Sequence, residues 1–252
     1  MASAIRELGR IAQDQGDYAA AQAYYEENLR LASEAKDTIA VVSVLTDLGS
    51  VAYDQGDYER ARELEEECLG MWRETGSKPM VSYVLETLGR IARVQGDYER
   101  AAVLYTERLA LAQEMGDNWL TGWAIFDLVR LALRRGDTRQ AVACYKDGVA
   151  LPQELGHPRL IAAYWGVAAA IAAGETRQLE RAARLFGAAE GLLEAADESL
   201  SVADQAEWDR GVAAVRAQLE AAAFKAAWAE GRRLAVDDGR QVVAYALGID
   251  QE

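Results

Sequence analysis

Apolar side chains recur along the chain at three- and four-residue steps, the spacing that places them on one face of an α-helix. Leu8 to Tyr18 reads LGRIAQDQGDY, and the same arrangement returns at Leu48–Tyr58 (LGSVAYDQGDY), Leu88–Tyr98 (LGRIARVQGDY) and Leu128–Thr138 (LVRLALRRGDT), a fixed interval of forty residues. Self-similarity at such an interval marks a repeat array, in which neighbouring units bury each other's apolar faces. The punctuation is as regular as the core. Gly16, Gly56, Gly96 and Gly136 follow one helix, where a left-handed residue commonly ends it. Asp17, Asp57, Asp97 and Asp137 come next, placed to cap a second helix with their carboxylates. Asp37, Ser77, Asp117 and His157 precede the next unit's first helix, with Pro79 and Pro158 in its first turn, where proline is tolerated. Each unit therefore reads as a helical hairpin.

The expected organisation is four hairpins over 1–156 (about 2–36, 37–76, 77–116 and 117–156), a divergent fifth over 157–197, and C-terminal capping helices over 198–252. Asp237 and Asp238 are expected to start the last of these. Gly9, Gly49 and Gly89 in the first helices, with Ala21, Ala61, Ala101 and Ala141 early in the second, fall where two helices must approach closely. The combination of Leu-Gly, Gly-Asp-Tyr, the Ala column and the pair Tyr24-Tyr25 resembles the tetratricopeptide repeat, in a forty-residue form rather than the usual 34. The fold this implies is all-α, a right-handed superhelical solenoid of antiparallel helix pairs.

Further along, ERAARLFGAAEGLLEA, FKAAWAEGRRL and VVAYALG are similar to the C-terminal end of bacterial signal-transduction ATPases and LuxR-type regulators that carry such arrays. That resemblance implies a sensor or docking arm of a larger signalling protein. The sequence contains no GxxxxGK[ST] phosphate loop and no recognisable helix-turn-helix, so ATPase and DNA-binding roles are not carried over. The first repeat begins at Ala2 without a polar capping helix, which points to a fragment cut at a repeat boundary or to a self-associating end, and hence to a homodimer.

Composition narrows the function classes. The net charge of −14 repels nucleic acid and anionic membranes, and no apolar run approaches the ~18 residues that span a bilayer, so a soluble cytoplasmic protein is expected. Cys68 and Cys144 lie in second helices, where the pattern puts core residues, and are expected to be reduced and buried. His157, in the column of Asp37, Ser77 and Asp117, reads as a helix-start residue at the surface. The run ELEEE from Glu63 to Glu67 reads as a solvated helix face. No catalytic constellation, metal site or cofactor motif emerges, and a non-enzymatic role is expected.

The tetratricopeptide resemblance implies that the second, fifth, ninth, twelfth and thirteenth repeat positions point into a concave groove. In the first two repeats these are Ser3, Arg6, Arg10, Gln13 and Asp14, then Ser43, Thr46, Ser50, Tyr53 and Asp54; in the next two, Tyr83, Glu86, Arg90, Arg93 and Val94, then Trp123, Phe126, Arg130, Leu133 and Arg134. Arg10, Arg90 and Arg130 share a column that only Ser50 interrupts. Guanidinium groups bind carboxylates in bidentate fashion, which suggests a groove for an acidic or C-terminal peptide, held by Arg90, Arg93, Arg130 and Arg134 with Tyr83, Trp123 and Phe126 packing its apolar side chains. The alternative is that these arginines pair with acidic residues of adjacent helices and that Trp123 and Phe126 belong partly to the core. A small-molecule inducer pocket around Trp119, Trp123 and Trp165, or a purely structural homodimer, are the other function classes left open.

Overall fold

The structure is a computed structural model and describes residues 2–174, 178–200 and 202–237. It is all-α among these residues, with consecutive helices packed in antiparallel pairs. Two compact units divide the chain, residues 1–115 and 116–252. The first holds three hairpins: α1 (Ala2–Asp14) with α2 (Tyr18–Glu34), α3 (Thr38–Asp54) with α4 (Tyr58–Thr75), and α5 (Lys78–Gln95) with α6 (Tyr98–Met115). The turns carry the chemistry the sequence assigns to them. Gly16, Gly56 and Gly96 have φ of 76°, 79° and 82°, and the carboxylates of Asp17, Asp57 and Asp97 each accept a hydrogen bond from the backbone N–H three residues on, at 3.0–3.1 Å.

Close helix approach explains the small residues. Ala21, Ala61 and Ala101 are fully buried. A Cβ at Gly9 or Gly89 would come within 2.5 Å of the Tyr25 ring or 2.4 Å of the Tyr105 ring, so the glycines make room for aromatic rings of the partner helix. In the middle hairpin Glu65 stands in that ring's place, against Gly49. The run 63–67 is thus not wholly a solvated face: Glu65 is 1% exposed, because its column is the one occupied by Tyr25 and Tyr105.

Between the first and second hairpins the turn differs. Lys36 adopts φ of 54°, where Gly76 has 71° at the corresponding place. A side chain in the left-handed region costs roughly 1–2 kcal/mol. Lys36→Gly is therefore expected to raise stability by ~0.5–1 kcal/mol, after allowing for the greater freedom glycine adds to the unfolded chain, as read by a denaturant midpoint.

The second unit comprises α7 (Asn118–Arg134), α8 (Thr138–Gly148), α9 (Leu151–Leu155), α10 (Pro158–Gly174), α11 (Leu179–Ala195), α12 (Val202–Gln218) and α13 (Ala221–Asp237). The second helix of the fourth hairpin is broken. Pro152 lies in the first turn of α9, and Gly148 ends α8 where Tyr164 crosses it: a Cβ there would be 2.5 Å from the Tyr164 hydroxyl, which donates to the Gly122 carbonyl at 2.8 Å. Helices α10 and α11 form the next pair, and α13 packs along α11. Asp237 is the last described residue of α13, and the helix that Asp237 and Asp238 are expected to start lies outside the described residues. Asp238 and the VVAYALG stretch lie outside the described residues.

No helix among the described residues is long and apolar enough to cross a membrane. Cys68 is buried and free, its thiol pushed up to about 12 chiefly by burial. Cys144 is free and half-buried rather than buried, with the Gln140 amide 3.3 Å from its sulfur on the solvent-facing side of α8.

Candidate functional site

In the first unit polar side chains link the inner face of α1 to α3. Arg6 holds Asp47 with Nε at 2.5 Å and Nη2 at 3.0 Å, and the Gln13 amide donates to Ser50 Oγ at 3.1 Å and Asp54 Oδ2 at 2.7 Å. Arg10 is exposed and folded back on its own helix, paired with Glu7 at 2.5 Å and Asp14 at 3.0 Å. Such exposed i,i+3 and i,i+4 pairs contribute little, a few tenths of a kcal/mol. Arg10 is thus held against its own helix rather than against a neighbouring one.

Helix α5 is different. Tyr83, Arg90 and Val94 are seven and four residues apart and so lie along one stripe of the helix. Tyr83 is 51% exposed and Val94 45%, an apolar presentation unusual for a helix packed on both sides. Between them the Arg90 guanidinium sits 4.7 Å from the centre of the Tyr53 ring, which is itself edge-on to Tyr58 at 5.4 Å. The Arg90 Nε is buried without a hydrogen-bond partner, and among the described residues no carboxylate lies within ion-pairing distance of this side chain. Arg93 is half-buried one residue before Val94. Behind the stripe, Arg108 of α6 is buried and donates to Glu86 of α5 at 2.6 Å.

In the second unit the expected ligand-binding residues are engaged from within. Arg130 donates through Nε to Glu207 Oε2 at 2.7 Å, and Arg134 donates through Nη2 to Glu207 Oε1 at 2.6 Å, so one carboxylate of α12 is clamped between two guanidiniums of α7. Phe126 is 5% exposed, with the Arg130 guanidinium 5.1 Å from its ring centre. Trp123 is half-buried, edge-on to Trp119 at 5.7 Å and to Phe126 at 5.4 Å. Arg130 and Arg134 thus pair with an acidic residue of another helix, and Phe126 is core.

Two aromatic expectations shift. Trp165 is buried in the core, whereas Trp119 packs at a tilt against the His157 ring, 4.2 Å between centres, and none of the three tryptophans lines the apolar cavity found in this unit. That cavity lies instead among Phe126, Phe186 and Trp208. His157 is half-buried, its Nδ1 buried without a partner, rather than a plain surface residue, because Trp119 of α7 covers it. No cluster of His, Cys, Asp and Glu among the described residues could hold a metal ion.

Comparison with known proteins follows the same lines. Two tetratricopeptide repeat models match, one over residues 1–74 and the other over residues 46–115. A search of proteins of curated function finds no match. Among solved structures, BtubC (BKLC) from P. vanneervenii aligns over 78% of this chain and 81% of its own, with a TM-score of 0.66 and 21% identity. The Rap conjugation gene regulator of plasmid pLS20, in complex with the Phr* peptide, aligns over 97% of this chain and 75% of its own, with a TM-score of 0.53 and 10% identity. A signal-transduction ATPase with numerous domains and a tetratricopeptide repeat sensor, from Pyrococcus horikoshii, aligns over all of this chain but 38% of its own length, with a TM-score of 0.67 and 15% identity. At these identities the likeness is one of fold. The repeat models identify residues 1–115 as tetratricopeptide repeats, and the paired-helix architecture continues beyond them.

Proposed function

We propose that the chain is a non-catalytic interaction module whose first-helix face on α5 docks a peptide or a partner domain. The observation that carries this reading is the Tyr83–Arg90–Val94 stripe: two exposed apolar side chains flank a guanidinium whose Nε has no hydrogen-bond partner. A buried donor left unmatched is costly, and an incoming carboxylate or backbone carbonyl would satisfy it. The Tyr53 ring beneath Arg90 holds the guanidinium plane in place for a bidentate contact. An extended segment with one acidic side chain and apolar neighbours fits this chemistry, with Arg93 adding positive potential beside it. A like-folded Rap regulator was solved with the Phr* peptide, which supports peptide docking as a use of this architecture.

By the same reading the module serves in the cytoplasm as the sensor or docking arm of a larger bacterial signalling regulator, a role that the likeness to the Pyrococcus ATPase sensor supports. The charge of −14 argues against nucleic acid as the partner.

The test is a peptide array of twelve-residue segments that vary acidic and apolar content, followed by calorimetry on the best binders. Acidic-apolar peptides are expected to bind, with Arg90→Gln and Tyr83→Ala each weakening affinity at least tenfold while the circular-dichroism melt stays near that of the wild type. Unchanged affinity in both folded variants would exclude α5 as the docking face.

A further inference from the structure

The second unit carries a half-open cavity of about 220 Å³ lined from α7, α10, α11 and α12. Its walls are mainly apolar, with Phe186 and Trp208 edge to face at 4.8 Å and Phe126 and Val167 opposite. Glycines keep the helices close around it. A Cβ on Gly166 would stand 3.0 Å from the Trp208 ring, and one on Gly211 would stand 2.9 Å from Phe186. The space exceeds the ~150 Å³ of an engineered apolar cavity that takes up benzene.

One side of this apolar space is strongly cationic. Arg130, Arg134 and Arg210 all line it, and Glu207 answers them: its Oε2 is 2.5 Å from Arg130 Nη2, and its Oε1 is 2.6 Å from Arg134 Nη2 and 3.9 Å from Arg210 Nη2. The Arg130 side chain is only 10% exposed, so its charge requires an anion at this place. Glu207 supplies that anion from a helix with little else to hold it, since Val215 is the one buried residue among the described side chains of α12. The pair thus joins a fixed buried cation on α7 to a carboxylate on a lightly anchored helix, at the edge of an apolar space large enough for a ring.

We propose that this cavity is a binding site for a small carboxylic acid with an aromatic or branched aliphatic body. Its carboxylate takes the place of Glu207 on Arg130 and Arg134, and its body fills the space between Phe126, Phe186 and Trp208. Exchanging one carboxylate for another leaves Arg130 paired, so the exchange carries little electrostatic cost and burial of the apolar body drives it. A neutral analogue of the same shape cannot take over the ion pair and would have to bind beside it. Release of Glu207 removes the ion pair that joins α12 to α7, so occupancy of the cavity is coupled to the hold on α12. The proposal does not depend on the docking role of α5.

Calorimetric titration of the whole chain with phenylacetate and 4-methylpentanoate, each against its amide, tests this. The acids are expected to bind at least tenfold more tightly than the amides, with a change in tryptophan emission that Trp208→Phe removes. Glu207→Gln, which withdraws the competing carboxylate, is expected to tighten the acids about tenfold. The triple variant Arg130→Gln/Arg134→Gln/Glu207→Gln removes both guanidiniums that would receive the ligand carboxylate, and there the preference for acids over amides is expected to be largely lost. No heat with either acid at millimolar concentration, equal affinity of acid and amide for the wild type, or weaker acid binding by a folded Glu207→Gln variant would each overturn the assignment.

Discussion

Gly231→Ala is expected to destabilise the chain by about 3 kcal/mol or more, although alanine in a helix interior is intrinsically worth ~1 kcal/mol over glycine. A Cβ at Gly231 of α13 would lie 2.0 Å from the Arg184 carbonyl oxygen of α11, and one at Gly187 of α11 would lie 2.3 Å from the Trp228 carbonyl oxygen of α13. These are backbone atoms of two helices in contact, so no side chain can swing aside, and the helices must separate to admit the methyl group. Separation would also stretch the polar contacts across the same seam: Arg184 to Glu230 at 2.6 Å, and Glu190 accepting from the Trp228 indole and from Arg232, both at 2.8 Å. A loss of this size corresponds to a fall in melting temperature of roughly 6–12 °C for a chain of this length. Gly70→Ala in α4 is the control, because nothing lies within 4 Å of its added Cβ. There the intrinsic preference acts alone, and the melting temperature is expected to rise slightly. If both substitutions stabilise, the close α11–α13 approach is wrong.

Glu65→Gln is expected to leave stability unchanged near pH 4.5 and to raise it by several kcal/mol at pH 8.5. Burial pushes the Glu65 carboxyl up to about 8, with the charge of Arg90 partly offsetting the rise. The folded chain therefore holds a proton that the unfolded chain has already released. Stability from this group is fully present below the ordinary carboxylate value and is lost as pH rises from about 4.5 towards 8, after which it stays level. With about 1.4 kcal/mol for each tenfold change in proton affinity, the window carries on the order of 4 kcal/mol. Glutamine copies the protonated carboxyl and removes its titration. Denaturant unfolding of both chains between pH 4.5 and 8.5 checks the point, and a difference between them that does not vary with pH would show that Glu65 ionises freely in the fold. Glu65→Tyr restores the residue of Tyr25 and Tyr105 in the same column, and is expected to match the glutamine variant at high pH.

How far the sequence reaches is clear from particular residues. The Asp caps, the left-handed Gly at 16, 56, 96 and 136 and the buried Ala column are legible because each depends on contacts within a few residues or on a period that repeats them. The burial of Glu65 was also within reach, since its column mates are aromatic; the neighbouring acidic residues masked it by suggesting a solvated face. Tyr83, Arg90 and Val94 are a stripe by helical spacing alone, but only the packed structure separates Arg90, resting on Tyr53, from Arg10, folded onto Glu7 and Asp14. Each of these outcomes turns on which neighbour happens to reach the side chain.

The amino-acid order by itself determined the repeat interval, the hairpin caps, the all-α class and the tetratricopeptide character, because backbone satisfaction at helix ends and apolar periodicity are short-range requirements. Tertiary structure alone decided the partners of the charged residues and the position of the cavity. Arg130 meets a carboxylate 77 residues away, on a helix whose own sequence shows no strong apolar face. Ion pairs carry no spacing rule along the chain: any of 41 acidic residues could in principle answer a guanidinium, and only the packing of α12 over α7, α10 and α11 selects Glu207.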